Sequence, residues 1–374
     1  MKCVRPLAKE DLSEVAELHR RVFGVNDAPV KGPASPAELQ EYIDYFKQAF
    51  LENPWYDETM PPLVAEGNNG NIIGFLGVMP RRMSHRGRTI RVAVSSQFII
   101  DPAARTTGAS LALIKRFFSG PQDLSMTDEA NDASRRLWEG FGAVAAPLYS
   151  LHWTRPLRPA RHAVAMAGAM LGTQSPWAAL LTSATHPFCN LADMVAARKL
   201  PHRYANPSPE VEVEELIPRQ LLATYEEFGD ARALIPQYDQ LSLTWVIDTI
   251  RKNRLAGDLH ARAIRNEKGL LLGWYVYLLK PGGRSTLLQI HARKSAIGDV
   301  ISHLFHDAWR HGSLSVTGRM EPAFIHIFEE KRCSFTCGYP WMLLKSKDAG
   351  LLESIHHGDA LLSKLEGEWC LHFR

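Results

Sequence analysis

The chain has 374 residues, 45% of them hydrophobic and 22% charged, with a net charge of +3. That balance excludes a disordered polymer, a coiled-coil rod and a collagen-like repeat. The mild charge does not mark a dedicated nucleic-acid binder, and the length sets a prior of two or three domains.

In chain order, Cys3 to Pro6 reads as a short strand. Asp11 then precedes Leu12, Val15, Ala16, Leu18, Val22 and Phe23, which recur with helical period. A second helix is expected over 36–51, stopping before Asn53-Pro54. A hairpin follows: Leu63 to Glu66, a turn at Gly67 to Gly70, then Ile72 to Met79. Arg81, Arg82, Arg86, Arg88 and Arg91 crowd the next turn around His85. A strand over 89–100 and a helix over 107–118 come after it.

The most apolar stretch, 163–181, is interrupted by Thr173 to Pro176 and falls short of the ~20 apolar residues that span a membrane. It reads as two short helices around a turn at Ser175-Pro176. No transmembrane segment is expected, and peripheral membrane contact stays open. The N-terminus lacks the apolar core of a signal peptide, so a cytoplasmic location is expected. The five cysteines are odd in number and sparse, which argues against a disulfide framework. Cys333 and Cys337 have poor zinc spacing, and no metal site is expected.

The second half echoes the first. Residues 211–229 again read as strand then helix, and 241–252 as a helix with one apolar face. Residues 264–279 mirror 64–79: Gly269 follows Gly70, and Gly273 follows Gly74, by 199 residues in each case. Trp274 keeps the register of Phe75. A strand over 285–292 and a helix over 297–310 complete the series. His303, His306 and His311 lie within this last helix region without a carboxylate or cysteine at ligand spacing, so they read as solvated or packing residues. The tail from Ser346 contains a short helix and the string EGEWCLHF, to which no role is assigned.

Residues 98–118, FIIDPAARTTGASLALIKRFF, carry the clearest chemical signal. A strand ends at Asp101-Pro102, small and hydroxylated residues follow, and a helix begins at once. Small residues admit a ligand to the backbone, and the helix start aims unpaired N–H groups and a positive dipole end at it. The physical expectation is a phosphate or pyrophosphate cradle. An ordinary strand-to-helix loop is the alternative.

Arg105-Thr-Thr-Gly108-Ala-Ser110, preceded by Ile100-Asp-Pro102, resembles the coenzyme A signature of the GNAT superfamily of acyl-CoA-dependent N-acyltransferases, Val-x-Pro-x-x-Gln/Arg-x-x-Gly-x-Gly/Ala. Ile100 replaces Val and Ser110 replaces the last small residue. Downstream, Asn131, Ser134, Leu137, Trp138, Glu139 and Gly142 sit like the family's Asn-x-x-Ala-x-x-Leu-Tyr-Glu-x-x-Gly-Phe block. The resemblance covers about residues 1–157. It implies that Phe98 and Ile100 offer backbone groups to the pantetheine arm. Arg105, Thr106, Thr107, Gly108, Ala109 and Ser110 would bind the pyrophosphate, and Asn131 would contact the arm or simply cap the next helix.

One departure stands out. Trp138 occupies the position where many members use Tyr to protonate the departing thiolate, and an indole cannot serve as an acid. Tyr149, expected on a following strand, is the candidate replacement. Gln97 and Ser96 are weak bases that could orient a water, and Glu66 and His85 could supply basicity at hairpin ends.

The second half has Arg293 and Gly298 at the matching loop, but with the wrong spacing. It reads as a degenerate copy that forms a wall of the acceptor pocket. The expected architecture is α/β with mixed sheets: two tandem GNAT-like units, 1–157 and 209–346, a mostly helical connector over 158–208 and a tail over 347–374. The expected reaction moves an acyl group from acetyl-CoA or another acyl-CoA to a small-molecule, sugar or peptide amine. Two alternatives stay open: a Fem-like ligase using aminoacyl-tRNA, and a non-catalytic CoA-binding sensor or scaffold. The Arg-rich turn adds a basic contact for CoA, an acidic acceptor or RNA, or is solvated charge. The oligomeric state carries no signal.

Overall fold

A computed structural model describes residues 1–23, 35–170, 176–199, 206–252 and 256–368. In chain order the strands are β1 (Cys3–Pro6), β2 (Leu63–Glu66), β3 (Ile72–His85), β4 (Arg88–Ile100), β5 (Leu124–Ala130), β6 (Val144–Ala145), β7 (Leu151–Pro156), β8 (Glu212–Glu215), β9 (Leu234–Pro236), β10 (Asp258–Arg265), β11 (Leu271–Leu279), β12 (Arg284–Ala292), β13 (Ser315–Arg319), β14 (Ser334–Cys337) and β15 (Trp341–Ser346). The helices are α1 (Leu12–Val22), α2 (Pro36–Phe50), α3 (Ala109–Phe118), α4 (Asp132–Gly140), α5 (Pro159–Met170), α6 (Pro176–Lys199), α7 (Pro218–Phe228), α8 (Gln240–Lys252), α9 (Ile297–Arg310), α10 (Ile325–Glu330) and α11 (Ala349–His356). The expected turn at Ser175-Pro176 lies partly outside the described residues. Among those described, no helix is long and apolar enough to cross a membrane.

The chain divides into two compact units. Unit 1 holds 1–150, 230–253 and 338–374, and unit 2 holds 151–229 and 254–337. The contiguous blocks expected from the sequence are therefore corrected. Strand β7, expected in the first block, pairs with β13 and β14 in unit 2. Strand β15, from the end of the second block, pairs with β5 and β6 in unit 1. Helix α8 and β9 also belong to unit 1. Alternation of apolar residues identifies a strand but does not name its neighbours, which is why the boundaries differ.

The sheet of unit 1 runs β1-β2-β3-β4-β5-β15-β6, with β9 added to the end of β3. Its one parallel pair is β4–β5. Unit 2 runs β14-β7-β13-β12-β11-β10-β8, and its one parallel pair is β12–β13. Read from β1 and from β8, the two sheets share one plan, compatible with two copies of one unit.

The expected hairpin echo is present in detail. Ala65 faces Gly74 and Glu66 faces Ile72; Ile264 faces Gly273 and Arg265 faces Leu271, with the same one-residue slip. Gly70 and Gly269 both adopt positive φ, 84° and 76°, which a glycine takes without steric cost. In unit 1, the side chains of Ile73, Val78 and Ala93 pack under α3 with Leu113, Ile114 and Phe117. Phe75 packs the other face against Phe46 and Phe50 of α2. Burying both faces positions the β4 terminus rigidly for the loop that follows.

Candidate functional site

Eight residues separate the end of β4 from the start of α3. Gly108 stands at the helix N-cap with φ +77°, and no side chain caps this end. A Cβ at Gly108 would meet nothing within 4 Å, so the space above the first-turn amides is open. Arg105 and Thr106 are exposed beside it, and Ser110 is half-buried. This geometry suits an anion such as a pyrophosphate. Two residues expected in the cradle act differently. The Thr107 hydroxyl donates to the Ala104 carbonyl at 2.7 Å, so it builds the turn. The Ala109 side chain is fully buried, which leaves only its main chain to face a ligand. In unit 2 the matching loop has four residues and ends at Ala296 with φ −121°. The shorter loop leaves no room for a cradle, as the spacing of Arg293 and Gly298 implied.

The β4–β5 ladder covers Val92 to Val94 and stops at Val94–Met126. Beyond it β4 is bulged: Phe75 faces Ile99, while Gly77 faces Ser96. Gln97 occupies the bulge with φ +53°. Its amide oxygen lies 2.8 Å from His19 Nε2, and its amide nitrogen donates to the Tyr45 hydroxyl at 3.2 Å. Gln97 thus ties the bulge to α1 and α2. Phe98 and Ile100 follow, both half-buried, on the part of β4 that has left β5.

The opening beside β5 is occupied by acidic side chains that sequence reasoning missed. Glu368 accepts from the Thr127 hydroxyl at 2.6 Å and from the Glu129 amide at 3.2 Å, and its own amide donates to Asp128 at 2.7 Å. Burial, then the neighbouring Asp128 charge, pushes the Glu368 carboxyl up to about 8. Glu366 is also raised by burial, while it accepts from Tyr238 and Ser363. Lys364 pairs with Glu129 at 2.7 Å. The available signal was the EGE triplet in the unassigned tail string, but its partner strand lies some 240 residues away.

The other expected residues are dispersed. Glu66 is bound by Lys2 at 2.6 Å and Arg5 at 3.1 Å, and these two cations hold its carboxyl below the usual range. That makes it a poor base. Tyr149 lies in a 3-10 turn rather than on a strand, is 1% exposed and donates to the Ala360 carbonyl at 2.8 Å. Its hydroxyl is committed to the structure, not presented to a thiolate. Asn131 caps α4 by accepting from the Ser134 amide at 2.9 Å. Trp138 is enclosed against Phe117 and Phe118, so a core role explains the indole. His85 is buried, 3.2 Å from the Ser354 hydroxyl. Arg86 and Arg88 sit at the opposite end of β4 from the cradle, about 40 Å along the strand. Arg81 is buried with its guanidinium 4.0 Å above Trp55. In unit 2, Tyr275 bonds His303 at 2.8 Å, and His306 contacts the Asn206 carbonyl at 2.8 Å, both packing roles. Among the described residues no group of three or more His, Cys, Asp or Glu could hold a metal.

Residues 3–123 match the family model described as the acetyltransferase (GNAT) domain. This stretch of unit 1 is similar to a GNAT acetyltransferase domain. Its signature loop and ladder end are those just described. The fold is shared with a conserved Enterococcus faecalis V583 protein described as a probable N-acyltransferase, at TM-score 0.57 and 10% identity over 94% of this chain and 73% of that one. It is also shared with a GCN5-related N-acetyltransferase from Kribbella flavida, at TM-score 0.54 and 11% identity over 92% and 71%. Saccharomyces cerevisiae N-myristoyltransferase, solved with myristoyl-CoA, matches at TM-score 0.50 and 10% identity over 92% and 78%. At these identities the likeness establishes the fold. Comparison with curated proteins gave no match.

Proposed function

We propose that this protein is an acyl-CoA-dependent N-acyltransferase that moves an acetyl or other acyl group to an amine. The open glycine cradle at Gly108 carries the reading. A phosphate-bearing ligand there would receive the α3 amides, Arg105 and Thr106. The stretch of β4 from Phe98 to Ile100, paired with β3 but past the end of the β5 ladder, would receive an extended amide-bearing arm, which needs strand-like partners. Coenzyme A supplies both features and brings the acyl group as an activated thioester. The acceptor amine must be neutral when it attacks. Unit 2, with its short loop, has the character of a degenerate copy, and one CoA per chain is expected.

The test is acetyl-CoA binding by calorimetry. Wild-type protein is expected to bind with a stoichiometry of one. Arg105→Glu and Gly108→Glu are each expected to weaken binding at least tenfold, about 1.4 kcal/mol. Binding that is absent, or indifferent to both changes, overturns the reading.

A further inference from the structure

We propose that the outward side of α6 in unit 2 is a docking surface for an anionic lipid bilayer, on which the protein lies peripherally. Three observations carry it. The first is an inverted helix face. Phe188, Leu191, Met194 and Val195 recur at spacings of three and four, so they form one stripe along α6. Each keeps between 47% and 74% of its surface, and Met166 of α5 is exposed as well. The other side of α6 carries small residues: Cys189 is buried, and Ala196 and Ala197 are half-buried. A helix on the surface of a core turns its large apolar residues inward, whereas α6 turns them outward. The second observation is that the stripe is anchored. The half-buried Asp193 accepts from the Ala160 amide at 2.7 Å and from the Arg161 amide at 3.4 Å, which joins α6 to the start of α5. The Arg158 guanidinium donates to the Trp309 carbonyl at 2.9 Å, which joins that start to α9. The third is charge. Over residues 158–199 the sequence holds Arg158, Arg161, Arg198 and Lys199 against a single acid, Asp193. Arg198 lies seven residues past Leu191 and so continues the stripe, with Lys199 exposed beside it.

An apolar stripe with cations at one end suits a membrane surface. Phe188, Leu191, Met194 and Val195 would enter the boundary between headgroups and acyl chains, while the long stems of Arg198 and Lys199 carry their charges up to the phosphates. Such a surface demands no matching shape, and its negative potential answers the excess of cations. A second copy of this chain seated on the stripe would instead bring the same excess of cations to the same face, and like charges oppose that. Among the described residues no helix is long and apolar enough to cross the membrane, so the docking is peripheral. Acyl transfer does not call on this stripe, and the proposal stands apart from the acyl-CoA reading.

The experiment sediments the full chain with vesicles of phosphatidylcholine alone and of phosphatidylcholine mixed with phosphatidylglycerol, at low and high salt. Wild type should bind the mixed vesicles about tenfold more tightly than the neutral ones, and added salt should close most of that gap. Leu191→Glu combined with Met194→Glu should weaken binding to the mixed vesicles by about tenfold or more. Both positions are exposed, so the thermal melt of this variant should match that of wild type. Arg198→Glu combined with Lys199→Glu should remove the preference for phosphatidylglycerol, and it serves if the first variant does not fold. Wild-type protein that sediments with neither vesicle overturns the proposal, as does wild-type binding without preference for phosphatidylglycerol or undiminished binding by either double variant. A wild-type dimer in size-exclusion chromatography that ignores vesicles, and that the Leu191→Glu and Met194→Glu pair splits, would give the stripe to a second copy and overturn it as well.

Discussion

The buried Glu368 makes a prediction about stability. Its carboxyl titrates near 4.5 when unfolded and is pushed up to about 8 by burial and Asp128. The folded state therefore binds more protons than the unfolded state between these values, and this group's stabilising contribution is lost as pH rises from about 4.5 through about 8. Replacing it by Gln removes the term. Thermal or urea unfolding should show Glu368→Gln gaining on wild type across that window, by up to ~5 kcal/mol. Parallel curves for the two proteins would show that the carboxyl carries no such penalty. At this scale the sequence was legible where chemistry is local. Gly108, Arg105 and the Asn131 cap follow from neighbours within a few residues. It was not legible where the partner is remote, because nothing near Glu368 in sequence points to Asp128. Tyr149 shows the reverse error. A hydroxyl near a motif looked available, but its partner carbonyl at Ala360 is 211 residues away.

At the scale of elements, β11 and α9 of unit 2 are joined by buried polar pairs rather than by apolar contact alone. The Tyr277 hydroxyl donates to Asp307 at 2.6 Å, and His260 and His311 flank the same carboxylate at 3.6 and 3.4 Å. Burial pushes Asp307 up, but His260, Tyr277, His311 and Arg262 together outweigh it, and the group settles at about 2 against an ordinary value of 3.8. A depressed carboxyl stabilises the fold above its unfolded value and loses that contribution as pH falls through the folded value, here from about 4 to about 2. Asp307→Asn should therefore cost ~2 kcal/mol at neutral pH and should not show the wild-type loss between pH 4 and 2. Chemical unfolding at pH 7 and at pH 2.5 measures both. An unchanged pH profile would assign the stabilisation to shape alone. The elements themselves were readable because each carries its own period and turn. The β10–β11 hairpin repeats the β2–β3 hairpin down to its bulge. Pairing beyond the hairpin was not readable, because β7 and β15 join sheets built from the opposite half of the sequence.

That exchange determines what can fold alone. A cut at residue 157, the boundary suggested by the motifs, keeps β7 without its β13 and β14 partners. It also removes β15, whose Leu343 and Leu344 are fully buried against the unit 1 sheet. The fragment 1–157 would expose the long edge of β5 as a row of unpaired backbone groups, which favours aggregation. It would also lose α8 and the 363–368 segment, and with them the carboxylate opposite Asp128. Removing two strands and two helices from one core exceeds the 5–15 kcal/mol by which a domain is normally stable. The fragment is expected to be insoluble, or to show no cooperative thermal transition by circular dichroism and no acetyl-CoA binding. A cooperative melt with acetyl-CoA binding would show that the exchanged strands are dispensable and that the contiguous division is the physical one. The 374 residues act as one folding problem because each sheet is completed by a strand from the other half of the sequence. The cradle can be read from a dozen residues, but the contact between Glu368 and Asp128 exists only once the tail has returned to β5.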